Sequence, residues 1–167
     1  CIRDSNYGNP SSTHSHGRNS KAILELSRKN IAEKFNVNPK EIIFTSGGTE
    51  SNNMIIKTVV IAQNIERIIS TKIEHKAVLN SIESIAKERG VTILFLDVDE
   101  YGLPNKQQLT EHLENSDEKT LVSLMHINNE TGTMIDLEEF GKICKSNNAL
   151  FHSDTVQTIG HYNIDLD

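Results

Sequence analysis

Short apolar runs alternate with amphipathic stretches along most of this chain, and that alternation limits the fold more than any other feature. Apolar runs bounded by turn residues read as strands. They fall at 41–45 (EIIFT), 67–71 (RIIST), 91–97 (VTILFLD), 120–125 (TLVSLM) and 149–152 (ALFH). The spacing between them predicts helices over 18–35, 49–63, 104–114 and 136–146, and another running from the Lys72–Val78 stretch to about Arg89. In the first helix Leu24, Ser27, Ile31 and Phe35 fall near one face. Gly90 stops the helix before it, as a glycine just past a C-cap does. Strands alternating with helices at least four times predict an α/β fold, a doubly wound and mostly parallel sheet with helices on both faces.

Composition narrows the function. The 167 residues suit one domain with a real core. The net charge is −6, from 17 basic and 23 acidic residues with no basic run, so no direct nucleic-acid binding is expected. No apolar run reaches the roughly 18 residues of a membrane-spanning helix, so no membrane partner is expected. Cys1 and Cys144 form no CxxC pair and suggest no disulfide framework. With no signal peptide, the chain reads as cytoplasmic or as an organelle-matrix protein. His14 and His16 lack a supporting cysteine or carboxylate cluster, so no metal site is expected. The chain opens on Cys1 rather than Met and stops at Asp167, and it is expected to be a piece of a longer protein.

In doubly wound sheets ligands bind beyond the carboxyl ends of the strands. After EIIFT comes SGGTE: a glycine turn, with Gly47 and Gly48, entering a helix at Thr49. A helix N-terminus offers unpaired N–H groups and partial positive charge, and a glycine admits close approach; together they suit a phosphate. The bland alternative is an ordinary capped helix after a tight turn. His75 follows RIIST, with Glu74 before it; it is either a ring partner or a capping or surface histidine. Asn128 and Asn129 follow TLVSLM in the run MHINNETGT, as ligands or as turn formers. Asp154 and Gln157 follow ALFH, Asp154 as a ligand or as a helix N-cap. Their convergence on one edge suits a phosphorylated heteroaromatic cofactor. The turn takes the phosphate, an imidazole stacks on the ring, a carboxylate holds a protonated ring nitrogen, and an amide donates to a phenolic oxygen. Pyridoxal phosphate has all four features.

With YGNPSS and His14, IIFTSGGTESNN, EHKAV, MHINNETGT and HSDTVQTIG in that order, the chain resembles the cysteine desulfurases of the NifS/IscS-like group. These belong to the class V aminotransferase family, of pyridoxal phosphate fold type I. The likeness runs over essentially the whole chain, and EHKAV and NNETG favour this group over the SufS-like one. It implies the large, cofactor-binding domain of that fold for residues 1–167. Gly48 and Thr49 match the phosphate-binding pair. His75 matches the histidine that stacks on the ring and moves protons in catalysis. Asn129, the second of the two asparagines, matches the one near the phenolic oxygen and the substrate carboxylate. Asp154 matches the partner of the ring nitrogen, and Gln157 the amide on the phenolic oxygen. Only the resemblance separates Asn129 from Asn128.

The implied reaction converts L-cysteine to L-alanine and leaves sulfur as a persulfide on an enzyme cysteine. The sulfur serves iron–sulfur cluster assembly through a scaffold protein, or tRNA thiolation, and the family forms homodimers. The resemblance also implies that the N-terminal start, the Schiff-base lysine segment, the persulfide cysteine and a small C-terminal domain lie outside these residues. The 167-residue chain alone is therefore expected to be inactive. Neither Cys1 nor Cys144 is expected to be the nucleophile. Thr155 departs from the alanine common in the family; it is expected to be tolerated beside Asp154, with a hydroxyl that could add a hydrogen bond. Two other readings stay open: a selenocysteine lyase, which shares the same motifs, and a catalytically inactive remnant acting as a binding partner.

Overall fold

The computed structural model describes residues 7–162 and 164; Cys1 lies outside them. The chain forms two compact units, one ending at Phe44 and the other spanning Thr45–Tyr162.

In the first unit, helix α1 spans Ser15–Lys34. His14 caps it, with Nδ1 accepting from the Gly17 amide at 3.1 Å. Of its predicted face, Ser27, Ile31 and Phe35 are half-buried and Leu24 is exposed. A single 3-10 turn, Pro39–Glu41, follows. Residues 42–44, expected to lie in a buried strand, are extended but pair with no other strand among the described residues. They are held by α1 instead. Arg28 Nε donates to the Ile42 carbonyl at 3.0 Å, and its guanidinium lies 5.2 Å from the Phe44 ring centre. Without a ladder to bury them, Ile43 and Phe44 stay exposed.

The second unit alternates strictly. Helix α2 is Gly48–Gln63, β1 Arg67–Thr71, α3 Lys76–Arg89, β2 Thr92–Leu96, α4 Lys106–Glu114, β3 Thr120–Ser123, α5 Leu137–Ser146 and β4 Leu150–His152. The four strands lie in the order β2-β1-β3-β4, every pair parallel. In β1 the neighbours Ile68 and Ile69 point to opposite faces, as the strand period requires. Ile68 and its partner Leu121 pack under α2 and α3 with Ile56, Val60, Val78, Ile82 and Ile85. Ile69 and its partner Val122 pack under α4 and α5 with Leu109, Leu113, Phe140 and Cys144. Helices therefore cover both faces, and β1 and β3 are buried along their whole length. Gly90 ends α3 at φ 73°, a left-handed turn that glycine adopts without strain.

The topology fixes where a ligand can enter. From β1 the chain moves outward to β2, then crosses back to place β3 on the other side of β1. The crevice between the ends of β1 and β3 is the switch point of the sheet. Truncating Ile68, fully buried in the central strand, tests this arrangement. Ile68→Ala should cost about 3 kcal/mol in urea unfolding, and a loss below about 1 kcal/mol would place β1 at an edge.

Candidate functional site

Helix α2 differs from its neighbours at its start. Side chains cap the other helices: His14 for α1, His75 for α3, Asn105 for α4 and Asp136 for α5. Gly47 gives α2 no such cap. Its first N–H groups are left for another acceptor. The turn is braced from outside, where the Glu50 carboxylate accepts from the Ser46 amide and hydroxyl, both at 2.6 Å. Those two bonds hold the Glu50 pKa below the usual range. A Cβ on Gly48 would lie 2.8 Å from Val156 Cγ2. A side chain at this position would therefore have to displace the exposed Val156 side chain, which glycine leaves in place.

That loop carries Asp154, whose two carboxylate oxygens are both held. Oδ1 accepts from the Val156 amide at 3.0 Å, and Oδ2 accepts from Asn52 Nδ2 at 2.8 Å. The His126 amide donates to the Asp154 carbonyl at 3.0 Å, which continues the β3–β4 pairing past the strands. The loop is then a tight turn rather than a helix, so Asp154 is no helix N-cap. His126 also bonds Thr158 Oγ1 at 3.0 Å, and burial lowers its pKa. The Thr155 carbonyl accepts from Thr158 and Ile159, but its hydroxyl makes no hydrogen bond to a described residue.

The segment after β3 separates the two asparagines. Asn128 is buried and builds the loop. Its amide donates to the Ile73 carbonyl at 3.0 Å, and its Oδ1 accepts from Glu130 and Thr131 at 2.8 and 3.0 Å. The next residue, Asn129, is exposed and its side chain bonds no described residue. The alternatives left open by the sequence resolve into one turn former and one free amide.

After β1, His75 is both a cap and a cleft residue. Its Nδ1 accepts from the Ala77 amide at 3.1 Å, so the ring proton of the neutral imidazole sits on Nε2. Glu74, 6% exposed, accepts at Oε1 from the Met125 amide at 2.8 Å and from Thr71 Oγ1 at 3.3 Å. Its Oε2 is buried with no partner. Burial, opposed by those bonds and reinforced by the negative charge of Asp154, pushes the Glu74 carboxyl up to about 7.

Gly48, Thr49, His75, Asn129, Asp154 and Gln157 all line one cleft of about 230 Å³ at this edge, together with Asn52, Met125 and Val156. Every residue singled out in the sequence for the cofactor therefore faces the same space. The sequence reading missed Asn52 and passed over Glu74. Asn52 lay within the TESNN motif, but its partner is 102 residues away. Among the described residues no lysine lines the cleft. Cys144 lies in the core between α5 and the sheet, where burial pushes its thiol up to about 12.

The aminotransferase class-V family model matches residues 3–167. The chain belongs to the class-V aminotransferase family. Among members of this family, it is 45% identical over 165 residues to a mitosomal cysteine desulfurase of Trachipleistophora hominis, covering 96% of this chain and 37% of that one. A solved NifS-like protein superposes with a TM-score of 0.87 at 38% identity, covering 99% of this chain and 46% of the other. A structure of SspA in complex with cysteine superposes at 0.88 with 30% identity, covering 99% and 47%. The chain thus spans less than half the length of these relatives.

Glu74 supplies a test of the site's electrostatics. Its carboxyl binds a proton up to about pH 7 when folded, and only up to 4.5 at its ordinary value. The folded state holds the proton more tightly in that window, so this group lowers stability as pH rises through it and leaves it lower above. The shift corresponds to about 3 kcal/mol. Glu74→Gln removes the titration. Urea unfolding across the window should show the wild type losing about that much relative to the variant as pH rises. Parallel stability curves would contradict the buried, protonated carboxyl.

Proposed function

We propose that this chain carries the cofactor site of a pyridoxal-phosphate-dependent cysteine desulfurase, which takes L-cysteine to L-alanine and passes the sulfur on as an enzyme persulfide. The observation that carries the reading is the single cleft. An uncapped helix start, a carboxylate with fixed oxygens, an imidazole with a defined tautomer and two free amides surround it. The names of the relatives support the same activity, as does the cysteine complex of SspA.

The residues fit the cofactor by chemistry. The open N–H groups at Gly48 and Thr49, with the Thr49 hydroxyl, are donors for a phosphate. Asp154 is an acceptor for a protonated ring nitrogen. Gln157 and Asn129 carry amides free to donate to the phenolic oxygen and to the substrate carboxylate. Pyridoxal phosphate bound there supplies an electron sink for the carbon that loses its proton. His75 then has one role its geometry allows directly. With Nδ1 held by the Ala77 amide, it exchanges protons at Nε2.

The reading assigns the lysine that attaches the cofactor, and the sulfur-accepting cysteine, to sequence outside Cys1–Asp167. It further takes the protein as a homodimer of the cytoplasm or an organelle matrix, serving an iron–sulfur scaffold or another sulfur acceptor. The intact protein should release alanine from cysteine. His75→Ala should slow turnover by about 10²–10⁴-fold, the usual range for a lost proton carrier. Asp154→Asn should weaken pyridoxal phosphate binding by about 10–100-fold, as expected for a lost charge-assisted bond. An intact protein that binds the cofactor yet forms no alanine from cysteine would overturn the assignment; selenocysteine run beside it separates the lyase alternative.

A further inference from the structure

Asn52 sits one helical turn after Gly48 on α2, so the two share a face. Both line the cleft. Asn52 is only 5% exposed, and its one bond reaches from α2 to Asp154 Oδ2 at 2.8 Å. The Val156 amide takes the other oxygen at 3.0 Å. Each carboxylate oxygen therefore has one donor, which fixes the carboxylate plane and leaves lone pairs for a ligand. A short, neutral donor suits this position: it orients the charge without neutralising it, whereas a second carboxylate would repel it.

We infer that Asn52 is a positioning residue for Asp154, coupling the phosphate end of the cleft to its nitrogen-binding end through one helix. This rests on the pyridoxal phosphate reading of the cleft. Loss of the bond frees Asp154 to rotate, so it should weaken only ligands that reach Asp154 through a ring nitrogen. The phosphate contacts at Gly48 and Thr49 stay in place.

The test uses the intact protein stripped of cofactor, with two ligands in direct binding titrations. One is pyridoxal phosphate. The other is a carbocyclic analogue of the same shape with CH in place of the ring nitrogen. Wild type should prefer pyridoxal phosphate. In Asn52→Ala that preference should fall by about tenfold, the scale of one hydrogen bond to a charged group, with analogue binding unchanged. Asn52→Asp, nearly the same shape, should lose at least as much preference because it sets a carboxylate against Asp154. The bound cofactor's ring-nitrogen proton, seen by NMR, should move upfield in both variants. Equal weakening of both ligands would mean that Asn52 only holds the cleft together, and an unchanged preference would mean that it does nothing for Asp154; either result overturns the inference. If the wild type itself shows no preference for pyridoxal phosphate, the cofactor reading fails first, and that result is recognisable without the variants.

Discussion

Parallel pairing of β1 with β2 on one side and β3 on the other brings the carboxyl ends of all four strands to one edge. Each turn that follows a strand is then delivered to that edge, whatever its sequence. The pairing depends on the apolar residues at the centre of β1 and β3, Ile68 and Leu121 on one face and Ile69 and Val122 on the other, so that α2 with α3, and α4 with α5, can each bury one side. A polar residue at Ile68 or Val122 would expose one helix layer and, with it, loosen the frame that holds the edge.

Four hydrogen bonds then convert neighbouring loops into a cleft. Glu74 ties the turn after β1 to Met125, and Asn128 ties that turn to the loop beyond β3. The His126 amide joins the β3 segment to Asp154, and Asn52 joins Asp154 to α2. The bonds link the turn after β1, the segment after β3, the Asp154 loop and α2 in series, through buried or half-buried groups where hydrogen bonds are strong and expensive to break. Asn129 and Gln157, whose side-chain amides bond no described residue, face the cleft. At Asn128 and Asn129 a residue that builds the site and one that faces it are adjacent in sequence but differ in burial.

This division explains what the sequence made legible. The strands could be read because their apolar runs are short and bounded, and the edge followed from their alternation. Residues at strand ends could be named because topology alone puts them there. Residues 42–44 looked like a strand because Ile42, Ile43 and Phe44 are apolar, but a strand needs a neighbour to pair with, and a local pattern holds no information about one. Asn52 and Glu74 stayed hidden for a related reason. Their partners, Asp154 and Met125, are far off in sequence, and no periodicity marks a hydrogen bond across such a distance. Likewise nothing local distinguishes Asn128 from Asn129; the carbonyl of Ile73 does.

On the reading proposed above, the uncapped start of α2 and the carboxylate of Asp154 hold opposite ends of one ligand. A crystal structure of the intact protein with pyridoxal phosphate tests it most directly. The phosphate should sit on the amides of Gly48 and Thr49, and the ring nitrogen within hydrogen-bond distance of Asp154. A phosphate seated elsewhere, or a ring whose nitrogen faces away from Asp154, would contradict it.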